Sequence, residues 1–175
     1  MFSDPEKNIG QFSLGKGDHV ADFGAGAGFY SFAAAEAVSS DGKVYSIDVQ
    51  KDLLQRLKKE ANIRHLTNIE ILWADIEHYG GTKLRESSMD AVIAANVLFQ
   101  IKEKNKTCLE INRILKKGGR VLLVDWSSSF GGMGPQQEDV FLPEKAKEIF
   151  TQNGFEFERE ISAGAQHFGL IFRKK

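Results

Sequence analysis

His19-Val20-Ala21-Asp22-Phe23-Gly24-Ala25-Gly26-Ala27-Gly28-Phe29-Tyr30 is the stretch on which the reading of the chain turns. A short apolar run, Val20, Ala21 and Phe23, passes straight into glycines at alternate positions 24, 26 and 28 and then into the helix-compatible Phe29-Tyr30-Ser31-Phe32-Ala33-Ala34-Ala35. The order is strand, tight loop, helix. Glycine reaches positive φ and carries no Cβ, so such a loop turns sharply and lets a ligand lie against the backbone at the positive end of the helix.

The spacing separates this loop from the dinucleotide-binding pattern G-x-G-x-x-G, whose third glycine would fall at position 29, occupied by Phe29. What stands here is D-x-G-x-G-x-G, with Asp22 two residues ahead of Gly24. That pattern resembles the first motif of the class I S-adenosylmethionine (SAM) dependent methyltransferases. A glycine-rich turn joining a strand to a helix with no ligand is the plain alternative.

Downstream, Ser39-Ser40-Asp41-Gly42 is a turn, and Lys43 to Ile47 reads as a second strand ending in Asp48. Asp48 lies 20 residues beyond Gly28, where an acid in a doubly wound fold can accept both protons of a ribose diol or cap the next helix. That helix, Lys51 to Ile63, carries Leu53, Leu54, Leu57 and Ala61 at helical spacing on its expected buried face. Ile69 to Trp73 is the third strand, followed by Asp75 and Ile76. Gly80 to Ser88 is a polar connection with room for one helical turn, and Met89 to Ala94 is the fourth strand, opened by Asp90. Asn96 stands just past its carboxyl end, placed to orient a ligand or to cap a helix. Lys102 to Leu115 is amphipathic, with Cys108 and Ile111 inward, and Lys116-Lys117-Gly118-Gly119 reads as its stop. Arg120 to Asp125 is a fifth, fully covered strand. Pro143 to Asn153 is a last helix stopped by Gly154, and Phe155 to Ile161 and Gln166 to Phe172 form a hairpin.

Alternating strands and helices followed by a hairpin predict an α/β domain with a mostly parallel sheet. In register, Asp22 and the glycines, Asp48, Asp75-Ile76, Asn96 and the run I-L-K-K-G-G-R-V-L-L-V-D resemble consecutive class I methyltransferase motifs of the small UbiE-like type. The resemblance implies a Rossmann-like, doubly wound seven-stranded sheet ordered 3-2-1-4-5-7-6 with strand 7 antiparallel. It also implies SAM, with S-adenosylhomocysteine as product, held by Asp22, Gly24, Ala25, Gly26, Gly28, Asp48, Val49, Asp75, Ile76 and Asn96. Candidates for a general base are Asp125, at the end of the fifth strand, and His167. For His167 a structural role is an equal alternative. Trp126, Phe130 and Met133 are candidates for an apolar acceptor pocket.

At 175 residues the chain suits one domain, 1–175, with residues 1–18 as an N-terminal arm begun by a capping Asp4-Pro5 and 126–140 as a candidate lid. With 42% apolar and 27% charged residues and no apolar run long enough to span a bilayer, a soluble, cytoplasmic protein is expected. A net charge of −1 argues against a nucleic-acid partner, and Arg173-Lys174-Lys175 reads as a solvated terminus. Cys108 alone permits no internal disulfide, no metal-ligand spacing is present, and thiol-relay or metalloid chemistry is disfavoured. The expected acceptor is a small molecule. RNA or protein methylation and a non-catalytic SAM-binding regulatory module remain alternatives, and an NAD-linked dehydrogenase is opposed by Phe29.

Overall fold

The computed structural model describes residues 3–129 and 134–175, so that Phe130 and Met133 lie outside the described residues. Helix α1 (Pro5–Phe12) opens with Asp4, whose carboxylate accepts the Lys7 N–H, and with proline at its first position. Strand β1 (His19–Phe23) leads through the glycine loop into α2 (Phe29–Val38). Then follow β2 (Lys43–Asp48), α3 (Lys51–Ile63), β3 (Ile69–Trp73) and β4 (Met89–Ala95). The second half holds α4 (Lys104–Ile114), β5 (Leu115–Trp126), α5 (Pro143–Gln152), β6 (Phe155–Ile161) and β7 (His167–Lys174).

The strands form one seven-stranded sheet in the order β3-β2-β1-β4-β5-β7-β6. Pairings from β3 across to β5 are parallel, and β7 is antiparallel to both β5 and β6. Alternate residues feed opposite cores, as the period of a strand requires. Val20, Val44, Ile93, Leu122 and Val124 join Ile9, Phe12, Ala34 and Val38 on the side of α1 and α2. Ala21, Val92, Ala94 and Leu123 face Cys108, Ile111, Ile114 and Phe150 of α4 and α5. Among the described residues no helix is long and apolar enough to cross a membrane.

Several expected boundaries shift, each for a local reason. Helix α4 starts at Lys104 because Leu98–Gln100 takes a separate 3-10 turn. Lys116 to Gly119 is no loop after a helix but a wide bulge inside β5: Met89 pairs with Leu115 and Ala91 already with Arg120. The stretch 80–88 holds turns and no helical turn; the Glu110 carboxylate accepts the N–H groups of Gly80 and Thr82 instead. Leu53 is only half-buried while Leu54, Leu57 and Ala61 pack inward. The basic terminus is not a loose tail, because Arg173 pairs with Glu158 and Lys174 donates to the carbonyls of Asn112 and Leu115.

Candidate active site

Strand order reverses between β1 and β4, and at the carboxyl ends of these strands the sheet opens into a crevice. A cavity of about 720 Å³ sits there, within the usual range for small-molecule sites. Asp22, Gly24, Ala25 and Gly26 line it from β1 and the loop, Asp48 and Val49 from β2, Asp75 and Ile76 from beyond β3, and Asn96 from beyond β4.

The glycines divide the work between ligand space and packing. At Gly26 φ is +52° and a Cβ would meet nothing nearer than 3.9 Å, so this backbone is open to the cavity. At Gly28 a Cβ would strike Leu57 at 2.5 Å and Phe32 at 2.8 Å. Gly28 is not among the residues that line the cavity, and its missing Cβ lets α2 close onto α3.

Asp48 combines two tasks. One carboxylate oxygen accepts the Gly26 N–H and the other the Gln50 N–H, each at 2.9 Å, which fixes the loop and the entry to α3 together. Each oxygen keeps a further lone pair for a ligand hydroxyl. Asp22 is fully buried beneath the loop and accepts the Ser31 hydroxyl at 2.6 Å, which in turn accepts from Ser46. Burial first, and then the neighbouring Asp48 charge, push its carboxyl up to about 7 against the pull of Ser31. Asp75 accepts the Glu77 N–H at 2.8 Å and contacts His78 Nδ1 at 2.9 Å.

Asn96 holds a left-handed backbone, φ +54°, which asparagine tolerates better than most residues. Its Oδ1 is buried without a hydrogen-bond partner among the described residues, so the capping alternative fails. An orphaned acceptor at a cavity wall marks a place that a ligand donor would complete.

The two candidate bases do not reach this cavity. Asp125 is fully buried and its oxygens accept the N–H groups of Phe99 and Trp126, so that it supports the 3-10 turn after β4. Burial raises its carboxyl to about 6. His167 packs its ring 4.4 Å from Trp126, with both ring nitrogens buried and unpartnered among the described residues, and burial lowers its pKa. Trp126 likewise is absent from the lining.

Other wall residues escaped the sequence reading. Ser3 and Pro5 of the N-terminal arm line the cavity, as do Tyr30, Gln100 and Ile101. Ser3 Oγ lies 2.8 Å from the Tyr30 hydroxyl, to which Asn8 also donates at 2.7 Å, so the arm is tied to the helix that follows the glycine loop. The sequence signals were the arm itself, short enough to cover a site or to fray, and the place of Tyr30 two residues after Gly28.

A family profile described as a methyltransferase domain matches residues 14–168. Arsenite methyltransferase of Halobacterium salinarum is 29% identical over 113 residues, 65% of this chain and 28% of that protein. The ubiquinone/menaquinone biosynthesis C-methyltransferase UbiE of Haemophilus ducreyi is 28% identical over 113 residues, 64% of this chain and 42% of that protein. The chain thus spans less than half the length of these curated relatives. A solved structure, a SAM dependent methyltransferase from Aquifex aeolicus, superposes with a TM-score of 0.88 at 28% identity, covering 98% of this chain and 90% of that one.

Proposed function

The chain belongs to the methyltransferase-domain family, and from that premise we propose that it moves the methyl group of SAM to a small-molecule acceptor. The observation that carries the reading is the convergence on one cavity of the expected cofactor residues, Gly28 excepted. The walls fit the group chemically. Asp48 offers acceptors to a ribose diol, Asp75 and Ile76 a polar and an apolar contact for the adenine, and open Gly26 a surface for close approach. The orphaned Asn96 amide and the buried Asp22 carboxylate suit the amino-acid end, where a donor and a cation would satisfy them.

When bound, SAM supplies a sulfonium-activated methyl group whose leaving group departs neutral. The chain's own contribution is to bind, orient and exclude water. In this reading no side chain outside the cavity takes a proton, and Asp125 and His167 serve as supports. The arsenic chemistry in one relative's name does not carry over: Cys108 is this chain's one cysteine, and burial pushes its thiol up to about 12, leaving no thiolate to offer.

Isothermal calorimetry with SAM, S-adenosylhomocysteine and NAD tests the reading. Binding of both sulfur nucleosides without NAD is expected, and NAD binding with silence from the other two would overturn it. Transfer of label from methyl-labelled SAM into a metabolite extract then separates an enzyme from a binding module.

A further inference from the structure

We propose that Ser31 and Ser46 are positioning residues for the cofactor: their hydroxyls form a one-way chain that holds one oxygen of Asp22, leaves the other to the cavity, and makes cofactor binding expel a proton from that carboxyl. The proposal rests on the SAM reading and deepens it.

Three polar side chains are sealed between the sheet and α2. Asp22 and Ser46 are paired neighbours on β1 and β2, and Ser31 meets them from α2. Ser31 and Ser46 are wholly buried and Asp22 is 2% exposed, on the side of the sheet whose core holds Val20, Val44, Ala34 and Ile93. Polar groups placed there cost stability unless their bonds are made, and for packing alone alanine would serve.

The chain runs in one direction. Ser46 Oγ has a single hydrogen-bond partner among the described residues, Ser31 Oγ at 2.7 Å, so its proton goes there. Ser31 thereby accepts, and its own proton goes to Asp22 Oδ2 at 2.6 Å. A hydroxyl has one proton to give, so Oδ2 is an acceptor in both states of Asp22, and a neutral carboxyl must carry its proton on Oδ1. Asp22 lines the cavity, and Oδ1 is the oxygen that the hydroxyl chain leaves to it.

A neutral Asp22 therefore turns a donor toward the amino-acid end of the cofactor, where only a carboxylate can receive an ammonium. The O–H bond on Oδ1 breaks, its proton passes to solvent, and the carboxylate pairs with the arriving cation. Burial favours the neutral carboxyl, the Ser31 hydroxyl opposes it and Asp48 of β2 adds to it, with the balance at about 7. The other titratable group that feels this charge is the Tyr30 hydroxyl of α2, which burial pushes up, while β4 sets Ile93 beside Asp22.

Calorimetry with SAM at about pH 8 decides the SAM reading by itself, since no binding there would end it. At about pH 6, titrations in two buffers of different ionisation enthalpy count the protons exchanged. Close to one proton released per SAM bound is expected, with affinity tightening roughly tenfold between about pH 5.5 and 7. The control is 5′-methylthioadenosine, the same nucleoside without the amino-acid end, which should release none and show little pH dependence. SAM binding without proton release at about pH 6, or equal release with the control, overturns the proposal and leaves the SAM reading intact. Ser31→Ala should move the midpoint of the SAM profile up by about one pH unit, as loss of a hydrogen bond to a charged group does, and Ser46→Ala should move it the same way by less. Midpoints unmoved in both variants, whatever happens to their melting temperatures, would reduce the two hydroxyls to packing and overturn the assignment. The proton count on the parent chain needs no variant to fold.

Discussion

Asp48 and Asp22 show how two carboxylates on neighbouring strands come to do different work. Asp48 stands at a strand end with its oxygens on two backbone N–H groups, so it is pre-aimed before any ligand arrives. Asp48→Ala should weaken SAM binding by about 1 to 3 kcal/mol, roughly 5- to 150-fold, as the loss of a hydrogen-bonded partner does. Calorimetry reads the change, and an unaltered affinity would remove Asp48 from the site. Asp22 is buried and its carboxyl titrates near 7. The folded chain therefore holds this proton more tightly than the unfolded one, whose aspartates titrate at about 4. The stability that comes from the protonated form is complete below about pH 4 and is lost as pH rises through about 7. Asp22→Asn, which carries no charge, should melt several degrees above the parent at pH 8, with the gap closing under acid conditions, while binding SAM more weakly at pH 8, where the parent's carboxyl is ionised. Equal melting points at high pH would mean that the carboxylate is not strained by burial. The trade of stability for a poised charge is what a binding residue, rather than a packing residue, would show.

Glu110 on α4 anchors the connection between β3 and β4. It is fully buried and bonds Arg113, Thr82 and the Gly80 N–H. Burial alone would raise its carboxyl, yet Arg113 and Thr82 outweigh that and hold it below the usual range. Glu110→Ala leaves the Arg113 guanidinium, itself nearly buried, without its partner, and should cost about 3 to 5 kcal/mol in urea unfolding. A loss no larger than that of an exposed Glu→Ala change would show the pair to be dispensable. Nothing in the sequence announces this tether, because Glu110 is one charged residue in an amphipathic helix and Thr82 is 28 residues away. The same limit explains the base candidates. That Asp125 and His167 lie near strand ends was readable, but which way each side chain turns depends on the 3-10 turn and on Trp126. Strand and helix boundaries were readable where glycine, proline or a capping acid marks them, as at Asp4-Pro5 and Gly154, and not where a bulge keeps Lys116 to Gly119 inside β5. The packing role of the third glycine was unreadable for a related reason, since only the approach of Leu57 and Phe32 shows what its missing Cβ makes room for.

Strand order and the position of the crevice follow from the alternation of elements together with the resemblance of the motifs, and the cavity stands where a reversal of strand order would put it. Charge distribution was hidden from composition, because a net charge of −1 does not reveal that Asp22, Asp48, Asp75 and Glu77 line the cavity while no Lys, Arg or His does among the described residues. That polarity makes a kinetic claim. SAM is a net cation at neutral pH, with a sulfonium and an ammonium against one carboxylate. A protein of uniform, near-zero charge would capture it at a rate almost blind to salt, whereas a cleft lined by carboxylates focuses the field and speeds encounter. At about 0.05 M salt the Debye length exceeds 10 Å, and at about 0.5 M it falls to a few ångströms, so raising salt across that range shortens the reach of Asp48, Asp75 and Glu77 to contact distance. Stopped-flow association of SAM should therefore slow severalfold over this range, with a much smaller change in the dissociation rate, and adenosine, which is neutral, should show little dependence. A salt-independent SAM association rate would mean that the acidic edge does not steer the ligand. A salt effect of equal size on adenosine would point to a general change in the protein instead of attraction between charges.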